Sequence, residues 1–191
     1  MPNLQGLTYS VDCDKRTGIK EVYFFKTNEV ATDGITFDGT SREVTDITMA
    51  STKQGYKVEI DDDESSLVST MAGGFGSRTS SLLTVSIYKF SDSVREIVQS
   101  WDRNACLGAI VKLYNGSAVL LGYDFDSEDS NDVYKPVKKL NASGTGQSGL
   151  VTDTGETATP KYIRGYQWTT NYEPAFVDAA FDYDTFTTPA A

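Results

Sequence analysis

The stretch LGAIVKLYNGSAVLLGY, residues 107–123, carries the strongest local signal in the chain. Two apolar runs, Leu107–Tyr114 and Ser117–Tyr123, meet at Asn115-Gly116. Asn and Gly tolerate the positive φ of a type I′ turn, so the segment reads as a β-hairpin. Just upstream the period changes: Val94, Ile97, Val98 and Trp101 fall at i, i+3, i+4 and i+7, one apolar stripe of a helix at about 92–104. Ser93-Val94-Arg95-Glu96 has capping-box spacing, with Ser91 or Asp92 as the alternative cap. The stripe is expected to lie across a sheet.

Further upstream, Thr79–Phe90 alternates over its length, with Leu83, Val85 and Ile87 on one face and Leu82, Thr84, Ser86, Tyr88 and Phe90 on the other. Ile19–Lys26 (IKEVYFFK), between Gly18 and Asn28, is apolar enough for a strand buried on both faces. Arg42–Met49 alternates imperfectly, which leaves its buried face open. Tyr56–Ile60 places Tyr56, Val58 and Ile60 on one face before the acidic stop Asp61-Asp62-Asp63-Glu64. Downstream of the hairpin, Asp124–Asp132 reads as an acidic loop, Val133–Leu140 as a strand interrupted by Pro136, Asn141–Gly149 as a flexible loop and Lys161–Thr169 as a strand. In Asn171–Ala191, Tyr172, Phe176, Phe181, Tyr183 and Phe186 are spaced among acidic residues, Pro174 and Pro189, and the segment reads as an arm outside the core. The expected fold is mainly β (α+β): an antiparallel β-barrel or sandwich with one amphipathic helix packed on it, extended loops and a C-terminal arm. A single domain is expected over 1–170, with the arm at 171–191.

Composition agrees. Thr (22), Ser (18), Gly (16), Tyr (11) and Phe (9) describe a strand-and-turn protein, and 191 residues suffice for one well-buried domain. No apolar run approaches the roughly 18–20 residues of a membrane helix. MPNLQGLTYSVDCDK lacks the basic start and apolar core of a secretory leader, so a soluble, unexported protein is expected. Net charge is −10, uneven along the chain: the first 120 residues carry 12 basic and 16 acidic side chains, the remaining 71 carry 5 and 11. That balance argues against a grip on phosphate backbone. Cys13 and Cys106 form no CxxC pair and read as free, buried thiols.

The chain has no histidine, which removes the commonest general base, the commonest metal ligand and every Ser-His-Asp or Cys-His arrangement. Paired carboxylates remain open to glycoside chemistry, but the acids cluster on turns (Glu59 with 61–64; Asp124, Asp126, Glu128, Asp129, Asp132) as a solvated surface does. Asp124, Asp126 and Glu128 occupy positions one, three and five of an EF-hand loop. The match ends there, with Asp129 in place of the glycine at position six and Lys135 in place of the glutamate at position twelve. Gly73-Gly74-Phe75-Gly76 and Gly144-Thr145-Gly146 lack the lysine and following helix of a P-loop and read as loops. Asn115-Gly116-Ser117 and Asn141-Ala142-Ser143 fit the glycosylation pattern, which requires secretion. No catalytic residue, metal or cofactor is expected, and the chain does not read as an enzyme.

The order of elements resembles the tail tube-type structural proteins of tailed bacteriophages. The residues that carry the resemblance are CDKRTGIKEVYFF from residue 13, VTDITMA at 44–50, the central helix, and the hairpin ending in AVLLGYDFD. It continues through the loop NASGTGQSG, the turn VTDTGETATP and the strand KYIRGYQW, so that it spans residues 13–168. The acidic insertion at 124–132 and the aromatic C-terminal arm depart from the pattern. The resemblance implies a virion structural protein of the viral tail, assembled in the host cytoplasm. It would be a homo-oligomer whose rings, hexameric in the family, stack into a conduit for DNA ejection. Implied partners are further copies of the chain and other virion proteins; DNA passes without specific binding and no membrane is involved. An acidic lumen suits such a conduit, because it repels phosphate. Candidate assembly or lumen residues on this reading are Asp61, Asp62, Asp63, Glu64, Asp124, Asp126, Glu128, Asp129, Phe176, Phe181 and Phe186. The alternatives are a head–tail junction ring, a capsid decoration protein, a carbohydrate-binding β-sandwich stacking sugars on Trp168, Tyr166 and Tyr172, and an enzyme with two acids converging in a pocket.

Overall fold

In the computed structural model, which describes residues 18–60, 64–71, 78–87, 91–126, 135–144, 149–151, 161–171 and 173–189, the double-sided apolar run Ile19–Lys26 forms strand β1. Its side chains alternate between two cores: Val22 and Phe24 point into one, Tyr23 and Phe25 into the other. Along the chain follow β2 (Val30–Phe37), β3 (Val44–Met49), β4 (Tyr56–Val58), β5 (Ser66–Met71), β6 (Thr79–Ile87) and helix α1 (Asp92–Asp102). Then come β7 (Leu107–Leu113), β8 (Ala118–Leu121), β9 (Tyr123–Asp126), β10 (Lys135–Lys139), β11 (Ser143–Gly144), β12 (Gly149–Val151), β13 (Lys161–Thr170), β14 (Ala175–Val177) and the single-turn helix α2 (Tyr183–Phe186).

Seven strands form one sheet in the order β2-β3-β14-β8-β7-β1-β4, and a second sheet runs β11-β13-β6-β5, with β12 also on β13; β9 and β10 form a separate ribbon. All pairings are antiparallel except β3 with β14. The fold is the expected mainly β sandwich with one amphipathic helix. Its first core lies between the sheets, where β1 and β7 meet Leu83, Val85 and Ile87 of β6, Tyr162, Tyr166 and Trp168 of β13, and Val98 of α1. The alternation therefore places Leu83, Val85 and Ile87 as read, while Tyr88 and Phe90 of the expected Thr79–Phe90 strand lie outside the described residues. The second core lies on the far face of the seven-stranded sheet, where Ile47, Ile110, Leu120 and Val177 meet Phe181 and Phe186. Each fully buried side chain of this size contributes about 1.5–3 kcal/mol.

The hairpin forms with Ile110 opposite Leu120 and Val111 opposite Val119. Its turn differs from the expectation. The Leu113 amide donates to the Ser117 carbonyl (2.8 Å) and the Gly116 amide to the Leu113 carbonyl (3.1 Å). Of Tyr114, Asn115 and Gly116, only Gly116 has positive φ, +91°. This is a three-residue loop with glycine in the left-handed position rather than type I′, which needs positive φ at two residues. Asn115 serves instead as an acceptor, its Oδ1 taking the Ser117 amide at 2.9 Å.

Helix α1 starts at Asp92 as read, and of the caps weighed it is the alternative Ser91, not Ser93 of the capping box, that serves, its Oγ accepting from the Val94 amide at 3.3 Å. At the other end, Asp102 accepts from Arg164 Nε at 2.9 and 3.1 Å and from the Tyr166 hydroxyl at 3.1 Å, which fastens the helix to β13. The imperfect alternation of β3 is a bulge. Thr36 pairs with Asp46 but Phe37 pairs with Val44, so the extra residue Thr45 turns Val44 onto the face of Ile47 and Met49, and all three are buried. Cys106, expected buried, is half-buried; Cys13 lies outside the described residues.

The reading of 171–191 as an arm is corrected. Strand β14 sits inside the seven-stranded sheet between β3 and β8, and Phe181 and Phe186 are buried in the second core. Acidic residues at Asp178, Asp182 and Asp184 hide this from composition, because they lie on turns that dock the chain. The Asp182 carboxylate, for instance, caps α2 through the Asp184 and Thr185 amides. Gly55 shows how closely the segment packs: its amide donates to the Phe186 carbonyl at 2.9 Å, and a Cβ there would stand 2.1 Å from the Phe186 ring.

Candidate assembly surfaces

A β-sandwich offers other chains its strand edges and whatever apolar surface the fold leaves uncovered. The edge strands here differ sharply. Between Val30 and Ile35, β2 carries three extra residues relative to β3, with Asp33 at φ +54°. β4 is three residues long, and its Lys57 reaches across to Glu21 at 2.6 Å. On the outer side of β13, β11 and β12 have two and three residues. Such short, bulged or charged strands resist further pairing. β5 does not have these features. Its six residues, SLVSTM, carry no charge and no proline, and among the described residues it pairs only with β6, from Ser66 opposite Thr84 to Met71 opposite Thr79. Val68 is 49% and Met71 58% exposed.

Uncovered apolar surface is equally concentrated. Among the described residues the large exposed apolar side chains are Tyr56, Val68, Met71, Ile97 and Phe176. Two belong to β5. Two others, Tyr56 and Ile97, line a groove of about 680 Å³ between α1 and the β1–β4 edge, together with Trp101 and the cations Lys26, Lys57 and Arg103. A smaller hollow of about 360 Å³ lies beside Met49 and Phe186, with Asp46, Asp184 and Lys53 at its walls. Both carboxylates are solvent-exposed, so the hollow lacks the dry surroundings that tune a catalytic acid pair.

The predicted site residues scatter. Glu64 is exposed on the turn before β5, where its carboxylate takes Lys161 Nζ and the Ser86 hydroxyl (3.3 Å). Asp124 is buried, its two oxygens accepting from the Asn171 amide (3.0 Å) and side chain (2.7 Å). Asp126 is in β9 opposite Lys135. Phe176 is 53% exposed, whereas Phe181 and Phe186 are core residues with ring centroids 5.7 Å apart. Burial removes Asp124, Phe181 and Phe186 from any surface that a lumen or a neighbour meets in this fold. Asp61, Asp62, Asp63, Glu128 and Asp129 lie outside the described residues. The stacking platform is corrected: Trp168 is 1% exposed with Nε1 donating to the Leu107 carbonyl at 2.9 Å, and Tyr166 is buried against Phe24. Tyr172 lies outside the described residues. The sequence reading missed β5 and the rim of the groove; the usable signal was the uncharged run between the acidic residues 61–64 and Arg78.

Ionisable groups are set mainly by scaffold contacts. The Glu21 carboxyl is held below its usual range, first by its hydrogen bond from Lys57, against an opposing effect of burial, and also by the Tyr23 hydroxyl and Lys112. Amides of Ser41 and Thr40 lower Asp38, and Thr185 and Asp184 lower Asp182. Burial pushes the hydroxyls of Tyr23, Tyr123 and Tyr166 well up. Among the described residues no group of three or more His, Cys, Asp or Glu converges as metal ligands would, and no helix is long and apolar enough to cross a membrane. Compared with protein-family models, with curated proteins and with solved structures, the chain matches none.

Proposed function

We propose that this chain is a structural subunit of a phage virion, of tail tube type, that assembles with copies of itself into stacked rings around a passage for DNA. The observation that carries the reading is β5: a six-residue, uncharged edge strand with Val68 and Met71 exposed, on a sandwich whose other edges are short, bulged or charged. An edge of that kind is a template for a strand from another chain. The net charge of −10 supports the conduit, since an acidic wall repels the phosphates that pass it. Two sheets with dense cores on both faces of the larger one give the rigid wall that a tube needs.

Electron microscopy of concentrated purified protein tests it. Rings or tubes are expected, and Val68→Lys with Met71→Lys, which places two charges on the edge, is expected to abolish both. Single rings that never stack would instead place the chain at the head–tail junction. A protein that stays monomeric at every concentration overturns the reading.

A further inference from the structure

We propose that the groove between α1 and β4 receives Phe176 of a second copy of this chain. The inference rests on the self-assembly reading above and names a second contact within it. The groove is unusual in two respects. Ile97 belongs to the apolar stripe of α1, yet it is 50% exposed while Val98 beside it is fully buried; Tyr56 is 56% exposed on the facing strand. These two side chains, with the partly buried Trp101, make an apolar wall that the described residues leave open. Around it stand Lys26, Lys57 and Arg103, and among the described residues no carboxylate lines the groove, although the chain as a whole carries ten more acids than bases. Lys26 and Lys57 pair with Glu29 and Glu21. Among the described residues no acid pairs with Arg103.

The complement of such a groove is an apolar side chain flanked by carboxylates, and this chain presents one. Phe176 is exposed on β14 between the buried Ala175 and Val177, with the exposed Glu173 before it and, after it, the half-buried Asp178, whose Oδ1 also accepts from the Ala180 amide. Of the five large apolar side chains exposed among the described residues, two are then covered by edge pairing and the other three by this contact. Phe176 does not reach the groove of its own chain: β8 and β7 lie between β14 and β1, about 14 Å of sheet at one strand spacing per step. Knob and groove lie at different places on one chain, so the contact is head-to-tail, the kind that closes rings or extends filaments.

The test is a directed cross-link. In a chain with Cys13→Ser and Cys106→Ser, Ile97→Cys and Phe176→Cys are made separately, mixed at assembly concentration and oxidised. A disulfide dimer is expected in the mixture, at least tenfold more abundant than from either variant alone. A charge swap that needs no cysteine change accompanies it. Arg103→Glu, on an exposed side chain, is expected to weaken self-association about tenfold by analytical ultracentrifugation, and adding Glu173→Lys to the same chain is expected to restore it. Assemblies that form without the cross-link and ignore the charge swap overturn the groove contact and leave the tube reading intact. Cross-linked dimers that never build rings support the contact and sink the tube. A strictly monomeric protein overturns both.

Discussion

Strands β5 and β13 flank the same neighbour, β6, from opposite sides, and they have nothing else in common. β13 is ten residues long, contributes Tyr162, Tyr166 and Trp168 to the core between the sheets, and ties α1 down through Arg164. β5 is six residues of small and aliphatic side chains, most of them exposed. All nine residues of β6 pair with β13, and six of them also pair with β5. The difference lies in the side chains. One side of β6 is spent on holding the monomer together, while β5 on the other side gives the core only the partly buried Leu67 and, among the described residues, has no strand on its outer edge.

The comparison is broken most directly at its heavy end. Trp168→Ala removes a fully buried indole and orphans the Leu107 carbonyl it satisfies. A loss of about 3–5 kcal/mol is expected, measured as the shift of the denaturant midpoint; a loss under about 1 kcal/mol would mean that β13 does not anchor the sandwich. The next effect is set by pH. Burial first, then the neighbouring Asp102 carboxylate, raises the Tyr166 hydroxyl, so the native state holds that proton more tightly than the unfolded chain does. Stability is therefore full below the unfolded value near 10 and falls as pH rises past it. A denaturant midpoint that declines from pH 10 upward is expected, with Tyr166→Phe shallower than the parent; parallel curves for the two would show that Tyr166 is not the group responsible. The smallest effect belongs to the open edge: Val68→Lys alone is expected to change monomer stability by less than about 0.5 kcal/mol, since the side chain meets solvent. A loss of 2 kcal/mol would make β5 a structural strand rather than a free one.

How far the sequence revealed all this follows the same division. Where burial imposes a period, the reading succeeds: β1, β6, α1, the 107–123 hairpin and β13 are all present, with bounds within a few residues. It loses precision where one residue interrupts the period, as Thr45 does in β3. It misses β5 and β2, since a strand with few buried side chains leaves no alternation to detect, and the former is the surface that carries the functional proposal. The C-terminal segment misleads for a different reason. Its buried residues Ala175, Val177, Phe181 and Phe186 are separated by docking turns rich in aspartate, and composition averages the two together. Of the candidate site residues, only exposure in three dimensions separates Phe176 from Phe181 and Phe186.

The place of β14 also bears on synthesis. Without it the seven-stranded sheet is two pieces, β2-β3 and β8-β7-β1-β4, with no strand bridging them. The bridge is made of residues 175–177, and a chain growing from the ribosome supplies them after the other six strands of this sheet. Closure of the larger sheet thus waits for residues 175–177, and an emerging subunit stays unfinished in this layer until they are available.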